Sequence, residues 1–270
     1  MIRSGWMPQF DDRRDFSLEN PECLKIFSNL GHSTSGSSSV KKIDLRIVNE
    51  KGCFAEVEEQ ERRQNCSAIA CASAIDFGDR KFLGQTAQLS SHAIYETSLQ
   101  LKKLPIGSWM DLRSTLKAIK RFGAPPFWVA NESPVQISPL ISHGFQNETN
   151  GLLYFQATKN QNANERLTEI KSLLNAGLPF VFGFPIPSSI GNDPIVPYRP
   201  MQDSFNFGQA ALAIGFDDNA ISRGRGALLF KNSWGRDWGD SGYGWLPYEF
   251  VTNFLARDFW VVLKSDWLRE

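Results

Sequence analysis

The sequence predicts an α+β fold in which a helical front half and a strand-rich back half pack together and leave a cleft between them. Three observations carry that expectation. Residues 66–77, CSAIACASAIDF, put small or apolar side chains on nearly every side of a helix, the pattern of a helix buried all round. Residues 111–123, DLRSTLKAIKRFG, align Leu112, Leu116, Ile119 and Phe122 on one helical face and finish at a glycine ahead of Pro125 and Pro126. Beyond residue 150 the chain becomes a series of short apolar or aromatic runs punctuated by Gly, Pro, Asn and Asp, which predicts strands.

Taken in order, residues 1–40 read as an N-terminal arm followed by a Ser-rich loop, STSGSSS at 33–39. The apolar anchors of GWMPQF predict an arm packed on the body. Residues 41–270 read as one domain, with its helical half at about 55–135 and its β-rich half at about 136–262. The central helix is predicted to start at Cys66 and stop at Gly78. A second helix covers 89–103, capped by Ser90 or Ser91 and ending in basic residues. In the back half GLLYFQA, GLPFVFGFPI, QAALAIGF, GALLFKNSW and DFWVVLK are the predicted strands, with one helix over 164–177.

With 41% hydrophobic and 12% aromatic residues, the 270-residue chain has enough apolar material for a real core. Lys+Arg and Asp+Glu both number 29, so no net charge draws it to nucleic acid or an anionic membrane. No apolar run approaches the roughly 18 residues of a membrane span. The N-terminus has no continuous apolar stretch of the kind a secretory signal needs, so a cytoplasmic location is expected. In that setting the acceptor tripeptides at Asn65, Asn131 and Asn147 carry no weight, and Cys23, Cys53, Cys66 and Cys71 are expected as free thiols. Cys66 and Cys71 have no histidine nearby, so neither a metal site nor a cofactor is expected.

The most specific stretch is KNSWGRDWGDSGYGWLPYEF, residues 231–250, together with the Gln60-x5-Cys66 spacing. These residues resemble the papain-like cysteine peptidases. The arm GWMPQFDDRRDF is similar to that of a bacterial subtype, and DLR at 44–46 and LPFVFGF at 178–184 fall where the family has similar segments. The resemblance covers nearly the whole chain and implies a two-subdomain fold with a β-barrel-like right half. It implies that Cys66 is the nucleophile, its thiol activated by the helix N-terminus. Gln60 and the Cys66 backbone N–H would form the oxyanion hole, Asn232 would orient the base, and Trp234 would shield that asparagine. Singly, each residue has an ordinary reading: a cysteine among alanines is core, a loop Gln or Asn is a turn former, a Trp is packing. The combination is specific where its members are not.

One position departs. The family pattern GHAVLAVGYDD is matched by GQAALAIGFDD at 208–218, with Gln209 at the histidine position. The three histidines of the chain, His32, His92 and His143, all lie elsewhere. An amide neither accepts nor delivers a proton near neutral pH, whereas peptide hydrolysis needs both transfers. Gln209 is expected instead to hydrogen-bond Asn232 or the sulfur and keep the shape of the site. Glycines of the family are also replaced: Glu61 follows the glutamine, Gln64 and Asn65 precede the cysteine, and bulky Trp109 and Met110 lie near the substrate-facing glycine pair. Added side chains there narrow the cleft.

The expected function is therefore a pseudopeptidase that binds a peptide or protein in its cleft. An alternative is a Cys66-dependent acyl transferase fed by a carrier-bound thioester, whose thiolate leaving group needs no proton. A second alternative is an active peptidase with an unusual base, such as His143 or a carboxylate like Asp217.

Overall fold

Helix α1 (Cys66–Gly78) is buried at every one of its 13 positions. Its run of Ala, Ser and Cys has no bulky polar face, so other elements close on it from all sides. The computed structural model describes residues 4–10, 12–17, 20–21, 40–48, 51–60, 64–85, 88–127 and 151–268. The predicted Ser-rich loop, Cys23, Asn131 and Asn147 lie outside them.

Two helices pack against α1: α2 (Ser91–Lys102) and α3 (Leu112–Phe122). The α2 cap is Ser90, whose hydroxyl accepts from the Ala93 N–H at 3.2 Å. The α3 cap is Asp111, whose carboxylate accepts from the Ser114 N–H at 2.7 Å. The α-helix ends at Gly78 as predicted, but not through a left-handed cap. Gly78 keeps helical angles (φ −64°, ψ −44°), and the chain runs on through a π-type turn at Asp79–Leu83. A Cβ at residue 78 would lie 2.3 Å from the Trp267 ring, so glycine is there for close packing and not for a turn.

The other side of α1 rests on an antiparallel sheet of β1 (Lys42–Asp44), β4 (Leu152–Gln156), β5 (Phe180–Ile186), β6 (Phe207–Ile221), β7 (Arg225–Lys231), β8 (Tyr243–Pro247) and β9 (Arg257–Lys264). A short hairpin of β2 (Ile47–Val48) and β3 (Lys51–Gly52) precedes the central helix, and α4 (Ala163–Asn175) follows β4. The order is β4-β9-β5-β6-β7-β8, with β1 also on β6, so the first strand of the body belongs to the back-half sheet. Fully buried Phe180, Phe182, Phe184 and Phe230 fill the centre of this sheet.

The barrel-like right half expected from the resemblance is corrected here: the sheet stays open, ending at β4 and β8. Closure is not needed to satisfy the edges, because both are covered. The Gln156 N–H donates to the Phe16 carbonyl of the N-terminal arm at 2.8 Å. On β8, the Trp245 N–H donates to the Pro194 carbonyl at 2.7 Å and its carbonyl accepts from Val196 at 2.9 Å. Among the described residues no helix is long and apolar enough to cross a membrane.

Candidate active site

The site forms where the N-terminus of α1 meets strands β6 and β7. Cys66 opens α1 and is wholly buried, and the Ala210 N–H of β6 donates to its Sγ at 3.4 Å. Gln209 lies next to Ala210, paired across the ladder with Phe184 of β5. Strand β7 ends at Lys231, which delivers Asn232 and Ser233 to the same point. Buried Lys231 ties that strand end to α1 and its approach: its Nζ donates to Ser73 Oγ at 3.2 Å and to the Glu56 carbonyl at 3.3 Å. Burial lowers this ammonium to about 8, against the pull of Asp76. The Gln60 N–H donates to the Ser233 carbonyl at 2.8 Å, fixing the loop ahead of α1 to the loop after β7.

The side chains of this junction form a directed chain of neutral hydrogen bonds. The Ser233 N–H donates to Asn232 Oδ1 at 2.9 Å, which fixes that oxygen on the side facing Gln209. Gln209 must then present its amino group, and its Nε2 donates to Asn232 Oδ1 at 2.7 Å and to Ser233 Oγ at 2.8 Å, with a longer 3.3 Å approach to Gln60 Oε1. Ser233 Oγ donates onward to Gln60 Oε1 at 2.6 Å. Gln60 Nε2 in turn donates to the backbone carbonyl of Ser4 at 3.2 Å. No group on this path titrates near neutral pH. Among the described residues Gln209 Oε1 and Asn232 Nδ2 are buried without a hydrogen-bond partner.

Two opposed effects act on the thiol. The helix N-terminus and the Ala210 N–H favour thiolate, as the sequence suggested, but burial outweighs them and pushes Cys66 up to about 12. Cys71, one turn further along α1, is likewise buried and pushed up. At neutral pH the sulfur is a neutral thiol.

The cleft above this junction holds the chain's own arm. Gly5 and Trp6 both direct their N–H groups at the Gly208 carbonyl, at 3.1 and 3.2 Å. The Met110 N–H donates to the Gly5 carbonyl at 2.8 Å on the opposite wall, where Trp6 and Met110 form a parallel bridge. The arm passes so close to the loop before Cys66 that a Cβ on Gly5 would lie 2.5 Å from the Gln64 backbone. The Trp6 ring is buried against Gly183 and Gly208, and its Nε1 donates to Asp258 Oδ2 at 3.1 Å; the Gln9 N–H donates to the same oxygen at 3.2 Å. Further along, Arg113 pairs with Asp15 and donates to the Phe10 carbonyl at 3.0 Å.

The structure thus brings Cys66, Gln60, Gln209 and Asn232 together. Gln64 is half-buried against Gly5. Asn65 occupies the N-cap position of α1 without a side-chain cap bond, its Oδ1 buried and unpartnered among the described residues. Trp234 packs edge-on against Trp238 at 4.9 Å. Trp109 does not fill the cleft: it leans on Phe207 at 6.2 Å, and the arm takes the space beside Met110.

Neither described candidate base reaches the sulfur. His92 lies on α2, half-buried and paired with Glu96 at 3.2 Å. Asp217 is further along β6, roughly 26 Å from Gln209 at about 3.3 Å per residue, and pairs with Lys42 at 3.2 Å. His32, His143 and Glu61 lie outside the described residues. No cluster of three metal-ligating side chains occurs among those described.

Sequence reasoning missed Ser233, Asp258 and the place of Trp6. Ser233 sits inside the Asn-Ser-Trp motif and was readable as a bridging hydroxyl. Asp258 carries no local signal, since only the docking of a segment 252 positions away in the chain makes it part of the site.

Comparison with known proteins agrees with this fold. Residues 193–252 match the family described as "Papain family cysteine protease". The chain is 28% identical over 276 aligned positions, spanning 96% of itself and 86% of the other protein, to the uncharacterized peptidase C1-like protein L477 of Acanthamoeba polyphaga mimivirus. Among solved structures it is similar to xylellain, a cysteine protease from Xylella fastidiosa, with a TM-score of 0.73 and 25% identity over 98% of this chain and 99% of that one. The procathepsin B S9 structure from Trypanosoma congolense shares the fold, with a TM-score of 0.67 and 13% identity over 97% and 86% of the two chains.

Proposed function

Because residues 193–252 match the papain cysteine protease family and the whole chain is similar in fold to xylellain, we propose that its cleft binds a peptide or protein segment while its Cys-Gln-Asn site has lost ordinary peptide hydrolysis. The observation that carries this reading is the buried amide of Gln209, held at 2.7 Å from Asn232 beside the Cys66 thiol. In the family's chemistry that neighbour of the thiol must take a proton to make thiolate and return one to the departing amine. Gln209 does neither, and its amino hydrogens are already committed to Asn232 and Ser233. What survives is the shape: a groove with backbone donors and acceptors on both walls, from Met110 and Gly208.

Fluorogenic peptides incubated with the full chain are expected to show no Cys66-dependent turnover. Turnover that disappears in Cys66→Ala would sink the proposal.

A second reading, acyl transfer from a thioester donor, is favoured by one specific contact. Gln60 Nε2 already grips a carbonyl oxygen, that of Ser4, at 3.2 Å, in the manner an oxyanion donor requires. Transthioesterification expels a thiolate, so the missing acid matters less. Intact mass after incubation with an acyl-thioester reads it out. This reading predicts one acyl adduct on the parent chain that is absent from Cys66→Ala; no adduct, or one that persists in that variant, ends it.

A further inference from the structure

The peptide-binding reading leaves the ligand undefined, but the arm in the cleft is itself a bound peptide, and each of its contacts states a requirement. The first is at Gly5. Its N–H donates to the Gly208 carbonyl at 3.1 Å and its carbonyl accepts from Met110 at 2.8 Å, so the backbone is held on both walls. A Cβ at this position would come within 2.5 Å of the Gln64 backbone, which cannot retreat like the end of a flexible side chain. Only glycine fits. The second requirement is at Trp6. Its ring lies so flat on Gly183 that a Cβ there would approach it to 1.9 Å, and at Gly208 a Cβ would meet the Trp6 carbonyl at 2.4 Å. This slot is made by two residues without side chains and accepts a broad planar ring. At its floor Asp258 Oδ2 accepts from the indole N–H at 3.1 Å. Asp258 itself has φ +56°, a left-handed conformation that aspartate adopts more readily than most residues, and its Oδ2 also accepts from the Gln9 N–H at 3.2 Å.

We propose that this groove is a recognition site for an external peptide carrying Gly–Trp, with glycine against Gln64 and the indole on Asp258, and that residues 5–6 of the arm are its resident, tethered occupant. The proposal rests on the peptide-binding reading above. Tethering gives the arm a high effective concentration, so an external Gly–Trp peptide competes poorly with it and binds well once the arm's ring is gone. The acceptor at the floor selects an aromatic side chain with an N–H donor over one without.

The test uses the full chain in parent, Trp6→Ala and Trp6→Phe forms, and a fluorescent hexapeptide of the arm's own sequence, SGWMPQ, followed by anisotropy. The expected result is saturable binding to Trp6→Ala at least about 10-fold tighter than to the parent. Replacing Trp by Phe in the peptide is expected to weaken binding about 10-fold, the usual worth of a buried hydrogen bond. Replacing Gly by Ala in the peptide should abolish binding. Trp6→Phe keeps a ring in the slot, so it guards against misfolding of Trp6→Ala; it loses only the N–H and should bind the hexapeptide more tightly than the parent does. Equal affinity for the Gly–Trp, Ala–Trp and Gly–Phe peptides, or no gain in either variant over the parent, overturns the proposal. Neither result touches the hydrolysis reading, which stands or falls on turnover alone.

Discussion

Replacing Trp6 by alanine is expected to raise the alkylation rate of Cys66 by iodoacetamide at pH 8 roughly a thousandfold. The reasoning starts from the thiol. In the intact chain burial pushes Cys66 up to about 12, which leaves very little thiolate at pH 8. Only the thiolate reacts, and an ordinary exposed cysteine titrates near about 8.5. The arm is what closes the site from the cleft side: Ser4 on Gln60, Gly5 on Gln64 and Gly208, and Trp6 on Asp258. Loss of the indole removes the buried ring and the hydrogen bond that hold this segment down. Water then reaches the sulfur, and the helix N-terminus and Ala210 N–H act on it without the opposing burial. The sign follows for pH as well. The parent's rate should keep climbing well above pH 10, whereas the variant's should level off near about 9. Mass mapping of the alkylated peptide separates Cys66 from Cys53 and Cys71, which are also buried. Identical rates and pH profiles for the two chains would show that the arm does not control access to the sulfur.

In that opened background, Gln209→His is expected to raise Cys66-dependent cleavage of a fluorogenic peptide by about 10²–10⁴-fold over Trp6→Ala alone. Gln209 Nε2 sits 2.7 Å from Asn232 Oδ1, so an imidazole N–H at this point finds its orienting acceptor already in place. Its neighbour Ala210 touches the sulfur through the backbone, which keeps the new side chain at the nucleophile. The Gln60 amide, which holds the Ser4 carbonyl at 3.2 Å, is freed for a substrate carbonyl once Ser4 has left. A rate that stays at the background level would show that Gln209 is not what limits cleavage and would point to Gln64 and Asn65, the bulky pair ahead of the cysteine.

Much of this site was legible in the linear chain because its chemistry is carried by short, contiguous motifs. Gln60 and Cys66 lie six residues apart on one approach to α1, and Asn232 and Ser233 follow directly on β7. The substitution at Gln209 was visible because its flanking strand residues keep their pattern. The resemblance was less reliable about closure of the sheet. Whether edges meet depends on what covers them, and here the arm and the segment 194–196 do so. Gly78 ends the α-helix where expected, but its physical role differs for a related reason. A glycine after a helical run signals a stop in isolation, but the ring of Trp267, 189 residues later, gives it a packing role instead.

The sequence by itself determined the α+β composition, the buried central helix, the thiol at its start and the amide in place of an imidazole at position 209. The first two follow from local periodicity and the others from residue identity at a given position, neither of which needs a distant partner. The protonation state of Cys66, the occupant of the cleft and the role of Asp258 were decided only by tertiary structure. Each arises where segments far apart in the chain meet, and burial, which sets the energy of a charge or a hydrogen bond, exists only once they have met.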